Sequence, residues 1–328
     1  MASIDCSPDL AAVDPELQEL LAQLTAYTFT DADLGPVRAA EEAPLPVRFS
    51  PADAVRSWAE EVILHDRVVP VRITRPAAAP GEAPLPVLVW AHGGGYVLGA
   101  PSTDQPLVDH WASAVECLVV SVGYRLAPEA TGTSAVEDCY ATLRWAAENA
   151  GRLNADSDRL AVGGESAGGG LAAALALMVR DRGEHELRFQ YLDEPMLDDR
   201  TVTRAVPNPH TGKFVWTPEA NRFGWQSLLG PDTTPGAPGI PAYLAAARAE
   251  DVAGLPATYI DVGTLDLFLE EGVEYARRLL AAGVPVELHV YPGAFHGYWV
   301  AQESLVSRRH LSHAVDFMRR FFGLPAVY

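Results

Sequence analysis

The stretch Val162-Gly163-Gly164-Glu165-Ser166-Ala167-Gly168-Gly169 constrains this chain more than any other. Arg159-Leu160-Ala161-Val162 stands ahead of it, and the run from Leu171 to Val179 behind it is apolar and free of proline. The context therefore reads as strand, sharp turn, helix. A serine at the apex of such a turn is strained, and a side chain two residues either way would strike the neighbouring strand or helix. Gly164-x-Ser166-x-Gly168 is then a nucleophile elbow that pushes the Ser166 hydroxyl into a pocket.

The rest of the chain supplies the setting. Leu10, Leu17, Leu20, Leu21, Leu24 and Tyr27 recur at helical spacing and predict an amphipathic helix from about Asp14, followed by proline-bearing loops to Pro51. Residues 61–68 and 69–75 alternate like two half-buried strands with a turn near Val69-Pro70. The runs 85–91 and 117–122 are continuously apolar, as strands covered on both faces would be. Helical patterns fill 104–114 and 135–150. Beyond the elbow come strands at 187–192, 257–262 and 286–291, with helices at 268–282 and 300–322. Between residues 200 and 249 the alternation breaks, with Pro, Gly and the aromatics Phe214, Trp216, Phe223 and Trp225, and an insertion of that length is usually functional. Alternating strands and helices predict an α/β fold, a mostly parallel sheet with helices on both faces and ligands at the carboxyl ends of the strands.

A length of 328 residues suits one catalytic unit with a small appended lid. The formal net charge of −19 argues against nucleic acid and membrane partners, since such a surface repels phosphates and anionic headgroups. Cys6, Cys117 and Cys139 are scattered and odd in number, which signals neither a disulfide framework nor a zinc site. With an acidic start lacking the basic and apolar regions of a secretory signal, the expectation is a cytoplasmic protein.

A serine hydroxyl attacks an ester only with help from an imidazole, which an acid must orient. His296, in Gly293-Ala294-Phe295-His296-Gly297 just past the last strand, is the best placed of nine histidines. Asp261 falls within a strand and Asp266 just beyond its carboxyl end, where it can reach a histidine, so Asp266 is favoured. The order Ser166, Asp266, His296 is the chain order of α/β-hydrolases. The oxyanion needs fixed donors: the N–H of Ala167, and Gly93, Gly94 and Gly95 in the loop after the strand 85–91, with Gly94 first among them. Tyr96, Phe214 and Trp216 are candidates for lining the substrate pocket.

These blocks together resemble the bacterial hormone-sensitive-lipase-like carboxylesterases. The resemblance rests on His92-Gly93-Gly94-Gly95, Tyr124-Arg125-Leu126-Ala127-Pro128-Glu129, Gly164-Glu165-Ser166-Ala167-Gly168-Gly169, Pro195-Met196-Leu197-Asp198-Asp199 and His296-Gly297, and runs from about residue 85 to the end. It implies the α/β-hydrolase fold, a sheet of about eight strands with a helical cap. Residues 1–50 would be an N-terminal cap segment, 51–199 and 246–328 the catalytic domain, and 200–245 a cap insertion. The segment from Asp266 to Gly272 matches the family segment whose first Asp is catalytic. Where the family continues with His and a Pro-Phe-Pro run, this chain has Ala130-Thr131-Gly132-Thr133-Ser134, and Glu165 stands where Asp is more frequent.

The expected function is that of a serine carboxylesterase acting on short- to medium-chain acyl esters through an acyl-enzyme, with no metal or organic cofactor. An amidase, lactonase or transacylase would use the same three residues, and a small-molecule receptor on this scaffold is the rival from another class. The resemblance also suggests a homodimer through the last strand and its helix.

Overall fold

Ahead of the sheet the chain winds through 3-10 turns at Leu10–Ala12 and Pro15–Leu17, a single turn α1 (Gln18–Leu21), and α2 (Leu34–Glu41). The expected long helix from Asp14 is thus broken, and a helix lies where loops were expected. Tertiary pairing overrides the periodicity here. Asp14 N–H donates to Gly293 O at 3.0 Å and Tyr27 N–H to Val215 O at 3.0 Å, so this segment is tied at both ends to distant loops. The computed structural model describes residues 9–24, 26–27, 29–30, 34–41, 47–51, 53–78 and 83–326. Cys6 and part of the expected N-terminal cap segment lie outside them.

The sheet opens with β1 (Val55–Ile63) and β2 (Val68–Pro76), antiparallel to each other. Their turn spans residues 64–67, closed by Leu64 N–H donating to Arg67 O at 2.9 Å, rather than Val69-Pro70 as expected. Pro70 instead lies inside β2, where its carbonyl still accepts from Gly123 N–H at 2.8 Å. Then follow β3 (Leu85–Ala91), α3 (Gln105–Val115), β4 (Leu118–Val122), α4 (Ser134–Glu148), α5 (Ala150–Leu153), β5 (Ala155–Glu165), α6 (Ala167–Arg182) and β6 (Leu187–Asp193). A 3-10 turn at Asp199–Thr203 and α7 (Pro218–Leu229) occupy the irregular stretch. The chain closes with β7 (Ala257–Gly263), α8 (Leu269–Ala281), β8 (Val286–Tyr291) and α9 (Leu305–Phe321).

The strand order is β1-β2-β4-β3-β5-β6-β7-β8, and every pairing from β4 onward is parallel. Strand β3 shows why continuous apolar runs were needed. Val87 and Val89 join the core under α4, α6 and α8, while Leu88 and Trp90 join the core under α3 and α9. Helix α6 is buried from Ala167 to Val179, so the elbow is anchored by a helix with almost no wet face. A third apolar cluster joins Val13, Leu17 and Leu21 to Phe214, Phe295 and Tyr298, which packs the N-terminal segment over the loop that carries His296. Cys117 and Cys139 are buried free thiols. Among the described residues no helix is long and apolar enough to cross a membrane.

Candidate active site

Ser166 precedes α6 at φ 57° and ψ −118°, a conformation that an L-residue keeps only when its surroundings force it. Its N–H donates to Asp193 O at 2.8 Å, and its carbonyl accepts from Gly170 N–H at 3.0 Å and Met196 N–H at 2.9 Å. A Cβ on Gly168 would lie 2.0 Å from Ala91 O, and one on Gly164 2.3 Å from Gly168 O. Both flanks of the elbow must therefore be bare.

Asp266 sits past the end of β7 and His296 past the end of β8. Nε2 of His296 is 3.0 Å from Ser166 Oγ, and its Nδ1 is 2.8 Å from Asp266 Oδ2. A carboxylate can only accept, so the ring proton belongs on Nδ1 and Nε2 is left to take the serine proton. Asp266 is itself fixed by Phe268 N–H, which donates to its Oδ1 at 2.8 Å. Asp261, the other acid weighed from the sequence, points elsewhere: Tyr298 OH donates to its Oδ2 at 2.9 Å, and His310 Nδ1 lies 2.9 Å from the same atom.

Burial disfavours a charged imidazole at His296. The charge of Asp266 and its hydrogen bond, with Glu165 nearby, outweigh that and hold the His296 pKa above its ordinary value. His92 is the opposite case. Burial pushes its pKa down to about 4, its Nδ1 lies 2.7 Å from Gly93 O, and its ring stacks on Tyr124 at 4.2 Å. It props the glycine loop from behind.

Within that loop the three glycines separate. Gly93 N–H donates inward to Asp104 Oδ2 at 3.3 Å, which takes it out of the expected donor set. Gly94 and Gly95 turn at φ 112° and 60°, and a Cβ on Gly94 would lie 2.4 Å from Leu98 O. Among the described residues no acceptor takes the amides of Gly94, Gly95 or Ala167.

Ser166, His296, Gly93 and Gly94 face a cavity of about 130 Å³. Trp216 lines it as expected, with its ring 6.4 Å from that of His296. The other two pocket candidates lie elsewhere. Tyr96 packs on Trp225 and donates its hydroxyl to Met196 O at 3.0 Å, and Phe214 packs against Phe295 in the N-terminal cluster. Both rings serve the core because their neighbours in the fold, invisible in the sequence, are apolar.

Three acids beside the site were not singled out as functional from the sequence. Glu165 Oε1 is 3.9 Å from His296 Nε2, Glu194 Oε2 is 3.8 Å from His296 Nδ1, and Asp104 lines the cavity. Glu165 directly precedes the nucleophile, and Glu194 starts the Glu194-Pro195 turn; those positions were the available signals. Among the described residues, two buried sets offer atoms within 4.8 Å to a cation: Glu165, Glu194 and His296, and separately Asp193, Asp261 and His310. In each set the imidazole already faces an aspartate, Asp266 or Asp261. The arrangement around Ser166 can generate an alkoxide-like nucleophile, receive its proton and meet an oxyanion with backbone amides.

Comparison with known proteins agrees with this chemistry. A family profile described as alpha/beta hydrolase fold matches residues 88–300. Esterase LipI of Mycobacterium tuberculosis is 38% identical over 232 residues, covering 69% of this chain and 70% of the relative. Carboxylesterase NlhH of the same species is 35% identical over 295 residues, covering 87% and 88%. Among solved structures, a bacterial heroin esterase superposes with a TM-score of 0.85 at 37% identity, covering 95% of this chain and 99% of that one.

Proposed function

The chain belongs to the alpha/beta hydrolase fold family, among its hormone-sensitive-lipase-like carboxylesterases, and from that premise we propose that Ser166, His296 and Asp266 hydrolyse short- to medium-chain acyl esters. It is a carboxylic-ester hydrolase. Ser166 Oγ attacks the ester carbonyl as its proton passes to His296 Nε2. Asp266 steadies the imidazolium, and the amides of Gly94, Gly95 and Ala167 receive the oxyanion, each such donor commonly lowering the barrier by about 3 kcal/mol. His296 then protonates the departing alcohol. Water, activated by the same imidazole, attacks the acyl-enzyme and returns Ser166 to its starting state.

The observation that carries this reading is the unbroken line from Ser166 Oγ through His296 to Asp266, at 3.0 and 2.8 Å, opening onto the cavity. The cavity volume, about 130 Å³, is small beside the roughly 300–1,000 Å³ of drug-sized ligand sites and supports short acyl groups. The N-terminal segment and the insertion at 200–245 form the cap in this reading, since Tyr27 and Trp216 both line the cavity. A homodimer through β8 and the following helix belongs to the same proposal, β8 being the last strand of the sheet; sedimentation equilibrium reads it.

The test is a series of p-nitrophenyl esters from acetate to decanoate, run on the native chain and on Ser166→Ala. Turnover should be highest at the short end and absent from the variant. A maximum at decanoate would overturn the substrate class, and an active Ser166→Ala would overturn the nucleophile.

A further inference from the structure

Glu165 is an unusual presence at a site built to stabilise negative charge. Its residue is only 9% exposed, yet its side chain lines the cavity rather than the core. No hydrogen bond among the described residues ends on either of its oxygens, and its nearest ionic neighbour is His296 Nε2 at 3.9 Å. Its Oε2 leans toward the glycine loop, so close that a Cβ on Gly93 would fall 1.9 Å from it. A buried carboxyl without a hydrogen-bond partner is costly, and a leucine or glutamine would spare the chain that cost.

The cavity around it has a consistent character. Asp104, 3% exposed, contributes a second carboxyl, fixed by Trp90 Nε1 at 3.0 Å and Gly93 N–H at 3.3 Å. Tyr27, Trp216 and Trp299 contribute aromatic rings, and no lysine or arginine is among the described lining residues. Two carboxyls, three rings and the absence of fixed cations suit a compact positive charge: a carboxylate offers a charge-assisted acceptor, and aromatic faces attract ammonium groups.

Resting on the esterase reading above, we propose that Glu165 is a substrate-recognition residue, and that the preferred substrates are small esters carrying a protonated amine within reach of it. Burial, together with the charge of Asp104, drives the Glu165 pKa upward, against the pull of His296. An entering ammonium group supplies a permanent counter-charge and a hydrogen-bond donor at once. The proximity to His296 Nε2 places that amine only a few bonds from the scissile carbonyl.

The experiment compares esters matched in shape and differing in charge. On the alcohol side, 2-(dimethylamino)ethyl acetate is set against 3-methylbutyl acetate; on the acyl side, ethyl N,N-dimethylglycinate against ethyl 3-methylbutanoate. The ratio of kcat/KM, cationic over neutral, is read within each enzyme for the native chain and for Glu165→Gln and Glu165→Leu. Native ratios of about tenfold or more in at least one pair, falling toward one in both variants, are expected for a charge-assisted contact. The pair that responds tells which side of the ester carries the amine. A native enzyme that turns over the neutral esters at ratios of one or below overturns this proposal and leaves the esterase reading standing. So does a high ratio that survives both substitutions. Failure to hydrolyse any of the four esters would instead overturn the esterase reading beneath it.

Discussion

The backbone N–H of Gly297 donates to Oε2 of Glu194 at 2.7 Å, binding the residue after His296 to the turn that follows β6. Glu194 is fully buried, and its own N–H donates to Asp261 O at 3.0 Å. The imidazole is thus held in place through its backbone from one side while Asp266 holds its ring from the other.

Glu194→Ala should therefore damage turnover more than substrate affinity. Leaving the half-buried Gly297 N–H unpaired costs about 1–3 kcal/mol, equivalent to roughly 5- to 150-fold. Steady-state kinetics should show that loss in kcat with KM little changed, and Glu194→Gln, which keeps an acceptor oxygen, should recover most of it. Equal losses in kcat for the two variants would contradict the contact.

The pH profile should carry the signature of His296. The base must be neutral to accept the serine proton, and its pKa lies above the ordinary 6.5. On a neutral ester, kcat/KM should rise with pH along a single proton whose midpoint lies above that value. Asp266→Asn removes the charge that raises it, so the midpoint should move down while the rate falls by about 10⁴-fold. An unmoved midpoint in the variant would sever Asp266 from the ring.

A second imidazole predicts how stability depends on pH. Strands β6 and β7 bring Asp193 and Asp261 into register, and His310 on α9 reaches both, at 3.5 and 2.9 Å. Burial alone would lower the His310 pKa, but Asp261 and Asp193 raise it to about 9 from 6.5. Because the folded value is the higher, its stabilisation is complete below the unfolded value and is lost as pH rises through about 9. Urea midpoints should fall across that window in the native chain and stay nearly level in His310→Gln.

Gly168 and Gly151 make a matched pair for the elbow. An added Cβ at Gly168 would meet Ala91 O at 2.0 Å, backbone against backbone, whereas at Gly151 nothing lies within 4 Å. Gly168→Ala should destabilise by the upper end of the ~1–3 kcal/mol typical of overpacking, or more, while Gly151→Ala should be neutral or mildly stabilising. Thermal melting of the two variants decides it, with equal melting temperatures as the contrary result.

What was legible in the sequence follows from where chemistry imposes spacing. Gly164, Ser166 and Gly168 could be read because the elbow tolerates no other arrangement, and β3 because a strand covered twice must be apolar throughout. Residues 10–27 misled because their leucines face loops contributed from beyond residue 210, which local periodicity does not encode. Phe214 and Tyr96 were misplaced for the same reason. An aromatic ring is equally at home in a pocket and in a core, and only its neighbours distinguish the two. Glu165 and Glu194 were given no role because an acid's burial is a property of the folded surroundings, while the residue type by itself suggests water.

Rings at and beside the cavity come from two distant parts of the chain: Tyr27 and Trp216, both lining it, lie 5.8 Å apart, and next to them Phe29 lies 5.5 Å from Phe223. The reacting groups sit just past the ends of sheet strands, while in the proposed reading the roof is a seam between two peripheral pieces. In that reading selectivity and reactivity are housed in separable modules, so exchange of residues along the seam would redirect the enzyme toward new esters while its bond-breaking apparatus is inherited intact.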